Sequence, residues 1–484
     1  MNLMRWRGDQ LQPIGGWAAL PNAIADSPIR DILTWHANDG SRYAAIGTDA
    51  KLWLYDFGAQ TMTDITPAGV GPLEPPGAPL GYGTGDYGED TYGTQRSSAD
   101  VGVIDISPIQ GDMWSLDLYG ENLLFVPTQD GRLFEWQPSV GGATAAVVAN
   151  APTNNAGVAV TDERVVVLIG AGGDPRNVAW SDQENITQWT PGVTNLAGSL
   201  RLQTESPPLL IRRVAPGQVL IWTDNDCHLM RYVGPPYAYG INKLGATCGL
   251  ISRRAVSRAG AVCLWMSQET FWQFDGSLSV VDCDVGDWLF SLLNRDYVGR
   301  IFAAPNGLFG EHWFFWPDEA SQECTRYVAL NYTLASKPWI IGTLSRTAAD
   351  PKAVMPHPIM SNGTQLLIHE YGFTDNGNAR TGTIYAEIGS FMADADGNQR
   401  FAVKQIIPDF TGPANVMAYR FFLWEEPDGP QFVVGPYSVQ NNSGRVDIGP
   451  GFSCRGMRLR VEAVADGPWA LGRTRLLLRS AGYV

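Results

Sequence analysis

Apolar and polar residues alternate in short runs along this chain, and the runs come in repeating groups. Asp31 to Phe57 reads DILTWHANDG, SRYAAIGTDA, KLWLYDF. Each piece is a strand-length alternation closed by a Gly, Asp or Asn turn, and the last carries aromatic residues. Residues 115–137 repeat the scheme as SLDLYGEN, LLFVPTQDG, RLFEWQ. Further copies begin at Val158, Leu209, Ala255 and Val298, and a weaker one covers Ile359–Tyr371. Such a module cannot bury its own apolar face, so copies must stack against one another. The pattern predicts an all-β chain with a β-propeller of about six or seven blades over residues 31–395, inside the usual range of about four to eight.

Four stretches break the rhythm. Residues 1–30 read as an extended segment, with Arg5, Trp6 and Arg7 before Pro13 and Pro21; they are expected to pair with the C-terminal domain. Residues 69–98 are rich in Gly, Pro and Tyr and keep no period. A long structureless insert in a compact domain points to function, and Tyr82, Asp86, Tyr87, Glu89, Asp90 and Tyr92 are the candidate gate or assembly residues within it. Val285–Asn294 has Trp288, Leu289, Leu292 and Leu293 at helical spacing, which predicts one short helix. Residues 396–484 hold six strand candidates and predict a β-sandwich or platform. There Met457, Leu459 and Val461 alternate with Arg458, Arg460 and Glu462. With Arg455 close by, the arginines mark a candidate docking face.

Composition supports this picture. The chain has 484 residues, too many for one core, with 54 Gly and 32 Pro to make tight turns. The net charge is −15, and it is uneven: 42 acidic against 25 basic side chains in residues 1–400, but 7 against 9 in residues 401–484. Such acidity is ill suited to gripping nucleic acid, because phosphate binding needs clustered Lys and Arg. It would suit a surface past which DNA slides, although solubility alone accounts for it as well. Arg outnumbers Lys 29 to 5, which favours bidentate interface pairs; a GC-rich coding sequence gives the same bias.

The search for chemistry returns little. The six cysteines show no CxxC spacing, and the five histidines no HExxH, so neither a metal nor any other cofactor is expected. No GxSxG elbow or Walker lysine loop occurs. Asp56, Asp112, Glu163, Asp182, Glu269 and Asp275 stand near strand ends, where two could converge as in a propeller glycosidase. Acids at such positions are also ordinary turn formers. The opening residues lack the apolar run of a signal peptide, and no apolar stretch reaches the ~18 residues of a membrane helix. Insertion into a membrane is therefore not expected.

One ordered set of blocks resembles a known family. Asn177–Thr204 reads NVAWSDQENITQWTPGVTNLAGSLRLQT, followed by LLIRRVAPGQVLIWTDNDCHLMRY, then GATCGLISRRAVSRAGAVCLWMS, and finally CRGMRLRVEA with GRTRLLLR. In this order the blocks resemble the tail nozzle, or packaged-DNA stabilisation, proteins of short-tailed bacteriophages. The likeness spans most of residues 150–484 and, more loosely, residues 1–68; the 69–98 insert departs from it. It implies a propeller with a β-platform and a non-enzymatic chain that forms a ring, usually of six copies. The ring would lie below the portal and adaptor proteins, beside tail fibre, spike or needle proteins. DNA would pass through its lumen without sequence-specific binding. It would imply folding in the host cytoplasm and residence in the virion tail. The alternative is a carbohydrate-active or glycan-binding propeller of a tail.

Overall fold

The computed structural model describes residues 1–77, 110–140, 144–235, 237–260, 262–392, 399–426, 429–440 and 444–483. The candidate loop residues Tyr82, Asp86, Tyr87, Glu89, Asp90 and Tyr92 lie outside them.

Seven four-stranded antiparallel sheets follow one another along the chain. Their first strands are Ile29–His36, Trp114–Tyr119, Gly157–Val160, Pro208–Ala215, Val256–Ala259, Phe302–Asn306 and Ala348–Ala349. These first strands run against one another in chain order, and Ala348–Ala349 returns to Ile29–His36. Between the fourth and fifth sheets the link is Arg212 Nη1 donating to Val256 O at 3.2 Å. The ring is closed, and the sheets are the seven blades of a β-propeller. The expected short helix is present as Gly286–Leu292, between the fifth and sixth blades.

Burial shows why the module repeats. In the second blade, Leu116, Phe125, Phe134 and Val147 are cross-strand neighbours, and the two phenylalanine rings stack at 5.4 Å. Their apolar partners come from the blade before: Leu33, Trp35, Leu54, Trp114, Phe125 and Trp136 share one core. The next cores repeat this between the third and fourth blades and between the fourth and fifth. Each blade thus buries its face only through its neighbours. Packing is close enough that a Cβ on Gly47 would lie 2.3 Å from Trp114 Cδ1.

The chain divides into two compact units. The larger comprises Leu20–Tyr327 with Ser345–Leu367 and contains the first strand of every blade; the smaller comprises Met1–Ala19, Val328–Leu344 and Ile368–Val484. In the smaller unit, a sheet in the order Tyr385–Met392, Gly456–Ala463, Met417–Trp424, Phe432–Ser438 accompanies a three-stranded sheet of Val446–Cys454, Gln399–Ile407 and Arg475–Tyr483. Rings from the two sheets meet: Phe421 lies 4.9 Å from Phe452, and Phe391 5.4 Å from Phe401. This is the β-sandwich platform.

Two boundaries differ from the expected ones. The platform takes up Tyr385–Met392, which pairs with Gly456–Ala463, so the propeller strands end before residue 395. The segment 1–30 also splits. Met4–Arg7 and Gln10–Pro13 form a hairpin in a small sheet with Phe410–Thr411 and Ala470–Leu471. Trp17–Ile24 instead becomes the fourth strand of the seventh blade. That blade has only three strands of its own, so its open edge takes the N-terminal strand. Gln365 Nε2 donates to Leu20 O and Ala23 O at 3.2 and 3.1 Å.

Candidate functional site

The first strands of the blades surround an axial cavity, and six charged side chains line it. One part, of about 50 Å³, is lined by residues that include Asp31, Asp117, Arg212 and Lys352. A second, of about 40 Å³, is lined by residues that include Arg30, Asp31, Arg212 and Arg254. Asp117 and Arg212 belong to first strands, Arg30 and Asp31 follow one another at a bulge in another, and Arg254 and Lys352 lie just outside first strands.

Most of the charges are paired. Arg254, at the start of the fifth blade, grips Asp31 of the first blade with Nε–Oδ1 at 2.8 Å and Nη2–Oδ2 at 3.1 Å. Asp31 also accepts the Trp114 amide at 3.0 Å. Arg30 forks between Asp49 at 2.9 Å and Glu323 at 2.7 Å. Lys352 pairs with Asp117. Burial alone would raise the Asp117 carboxyl, but Lys352 and the Val160 and Leu118 amides hold it below the usual carboxylate range. Asp350 goes the other way: burial raises it, against the Thr34 hydroxyl and two amides.

The two ends of the blade 1–2 connection meet beside the Arg254–Asp31 pair. Asp112 N donates to Glu74 O at 2.7 Å, and Glu74 N returns a bond to Asp112 Oδ2 at 3.1 Å. Asp112 O accepts from Arg254 Nη2 at 3.1 Å, and Gln110 Nε2 donates to Ile251 O at 3.0 Å. The connection therefore reaches from blades one and two to blade five. Residues 69–77 belong to this anchored part rather than to a structureless insert: Leu73 is buried in the core of blades one and two, and its amide bonds Asp49 O at 2.8 Å.

Three of the acids weighed for catalysis, Asp56, Asp182 and Asp275, behave as turn formers. Asp56 Oδ1 accepts the Gly58 and Ala59 amides, Asp182 Oδ1 the Gln183 and Leu196 amides, and Asp275 Oδ1 the Ser277 amide. Glu163 accepts from the Tyr239 hydroxyl at 3.2 Å. Among the described residues no group of three His, Cys, Asp or Glu side chains could hold a metal ion. No helix among them is long and apolar enough to cross a membrane. All six cysteines are free thiols. Burial pushes Cys263 up to about 12, so it is no nucleophile.

The arginine face of the platform is largely matched within its own sheet. Arg460 Nε donates to Glu387 at 2.7 Å, and Arg458 Nη1 is 3.8 Å from the same carboxylate. Arg458 and Arg460 also lie over the Phe422 ring, and Arg460 over Tyr385. Arg455 is not in this group; it occupies the bend before Gly456. Sequence reasoning missed the axial charges altogether. Their only signal is an acid or arginine inside an otherwise apolar strand, as in Arg30-Asp31 or Arg212-Arg213.

No family model matches the chain, and no curated protein matches it. Among solved structures it is similar to a selenomethionine-substituted virginiamycin B lyase from Staphylococcus aureus, at 8% identity and a TM-score of 0.43, over 73% of this chain and 98% of that one. It is also similar to a protein from Lactobacillus plantarum, at 10% identity and a TM-score of 0.39, over 72% and 89%. Its own sheets define the class: a seven-bladed β-propeller protein with a β-sandwich platform.

Proposed function

We propose that this chain is a structural component of a bacteriophage tail, a ring-forming nozzle that extends and closes the DNA channel below the portal and adaptor. The ordered sequence likeness over residues 150–484 carries this reading. The net charge of −15 supports it, because an acidic lumen repels the phosphate backbone and lets DNA slide. So does the platform. Its four-stranded sheet ends in Tyr385–Met392 on one side and Phe432–Ser438 on the other. Apolar side chains stand exposed at both ends: Ile388 56%, Phe391 41%, Phe432 58% and Val433 53%. Exposed apolar edges favour pairing with another chain. In an antiparallel sheet of four strands the two edges run in opposite directions. Copies can therefore join head to tail, edge to opposite edge, and close into a ring.

The test is the mass of the purified protein by mass photometry, alone and with adaptor rings, followed by particle imaging. A ring is expected, and Ile388→Glu with Val433→Glu should return it to monomers that remain folded. A wild-type protein that stays monomeric and never joins adaptor rings would sink the reading. Saturable binding or turnover in a panel of capsular and lipopolysaccharide glycans would favour the carbohydrate-directed alternative.

A further inference from the structure

Among the described residues, the axial cavity carries one charge that no ion pair neutralises. Arg30, Arg212, Arg254 and Lys352 line it, against the carboxylates of Asp31 and Asp117. Arg254 is held by Asp31, Lys352 by Asp117, and Arg30 by Asp49 and Glu323. Arg212 forms no ion pair among the described residues. Its Nη1 donates to Val256 O at 3.2 Å, which leaves most of the five guanidinium donors for the cavity. Arg258 stands nearby with like charge, while Asp117 and Asp350 act only from beyond ion-pair distance. Burial raises the Asp350 carboxyl above its ordinary range, against the Thr34 hydroxyl and two amides.

An arginine cannot escape burial by losing its proton. Arg212 is only partly exposed, and a cation kept largely from bulk water without a counter-ion is costly; the usual remedy is an anion held by hydrogen bonds. The cavity has room for a small one: its larger part offers about 50 Å³ to the centres of water-sized spheres, where a single water needs about 10–15 Å³. Lys352 is 31% exposed and marks a route to solvent. The Gln110–Asp112 stretch and the Arg254–Asp31 pair brace the cavity at blade five.

We propose that the propeller axis is a binding site for a small tetrahedral oxyanion, phosphate or sulfate, held by the Arg212 guanidinium. A planar fork of N–H donors fits two oxyanion oxygens at once, which a chloride ion cannot exploit. Arg254 and Lys352 add favourable field without giving up their own partners. The site is independent of any ring, because every residue named belongs to one propeller.

Isothermal titration calorimetry on the full chain tests this, with inorganic phosphate, sulfate, acetate and chloride at constant ionic strength. One-to-one saturable binding of phosphate or sulfate is expected, with chloride giving none. Acetate binding as tightly would redirect the site to carboxylates and overturn the tetrahedral assignment. Arg212→Met should weaken binding at least about tenfold, equivalent to ~1.4 kcal/mol. Arg164→Met, which removes an exposed arginine paired with Glu184 at 3.7 Å, should leave it unchanged. Equal affinity in Arg212→Met, or no saturable binding by wild type, overturns the proposal. If Arg212→Met does not fold, wild-type crystals soaked in selenate decide: an anomalous peak within hydrogen-bond reach of Arg212 supports the site, and its absence there refutes it.

Discussion

Arg254 and Asp31 form a two-pronged ion pair across the propeller axis, although 223 residues separate them in the chain. Their side chains are 9% and 10% exposed. Through Asp31 the pair also reaches the Trp114 amide, and through Arg254 it reaches Asp112 O. One contact thus ties together the starts of blades one, two and five.

Breaking this pair from one side should be severe. Arg254→Met leaves Asp31 buried with only an amide donor, and a loss of about 3–5 kcal/mol is expected. The double variant with Asp31→Asn should lose less than the sum of the two single changes. Urea denaturation of the four proteins measures the coupling. Additive losses would show that the two side chains act independently.

The platform pair should behave differently. Glu387 faces Arg458 and Arg460 near the surface, with 25–35% of each side chain exposed. Solvent screens such pairs, so Glu387→Gln should cost at most about 1 kcal/mol. A loss as large as that of Arg254→Met would mean that this face is far less hydrated than its exposure indicates.

Gly299 tests the anchoring of the blade 1–2 connection. A Cβ there would lie 2.2 Å from Gln110 O and 2.6 Å from Pro76 Cβ. Gly299→Ala should push the connection away from blade five and cost about 1–3 kcal/mol. Hydrogen exchange should rise at Asp112 and Glu74, whose amides bond each other's oxygens. Unchanged protection at both amides would count against the anchoring.

His312 sets a pH dependence. It is fully buried, with Nδ1 2.7 Å from Ser257 Oγ, and burial lowers its pKa from 6.5 to about 3. Between those values the unfolded chain binds a proton that the folded chain does not. Stability from this group is therefore complete above pH 6.5 and is lost as pH falls toward 3. The slope reaches at most about 1.4 kcal/mol per pH unit. His312→Gln should flatten the stability profile between about pH 4 and 6. Parallel profiles for variant and wild type would assign the acid sensitivity elsewhere.

Removing residues 1–24 should open the seventh blade. Without Trp17–Ile24 the strand Gln365–His369 becomes an edge. The truncated protein is expected to melt earlier and to associate through that edge. An unchanged melting temperature would show that three strands suffice there.

Much of the fold is legible in the local pattern. The runs at Asp31–Phe57 and 115–137 become the first and second blades, and Val285–Asn294 contains the helix Gly286–Leu292. Aromatic residues in those runs, such as Trp35 and Trp136, do fill the cores between blades. The site was far less legible. Arg30, Asp31 and Arg212 stand inside runs whose apolar neighbours dominate the pattern. Nothing local distinguishes an axial charge from one facing solvent at a blade edge.

The sequence by itself determined where strands begin, where they turn and which side chains face a core. Those choices depend on alternation and turn chemistry within about ten residues. Only the tertiary structure decided that Trp17–Ile24 completes a blade begun at Ala348, that Asp31 meets Arg254, and that Arg212 has no ion pair among the described residues. The reason is geometric. Closing the ring brings the first strands together whatever their distance in the chain, so partners on the axis follow from blade number and register rather than from any neighbourhood in sequence.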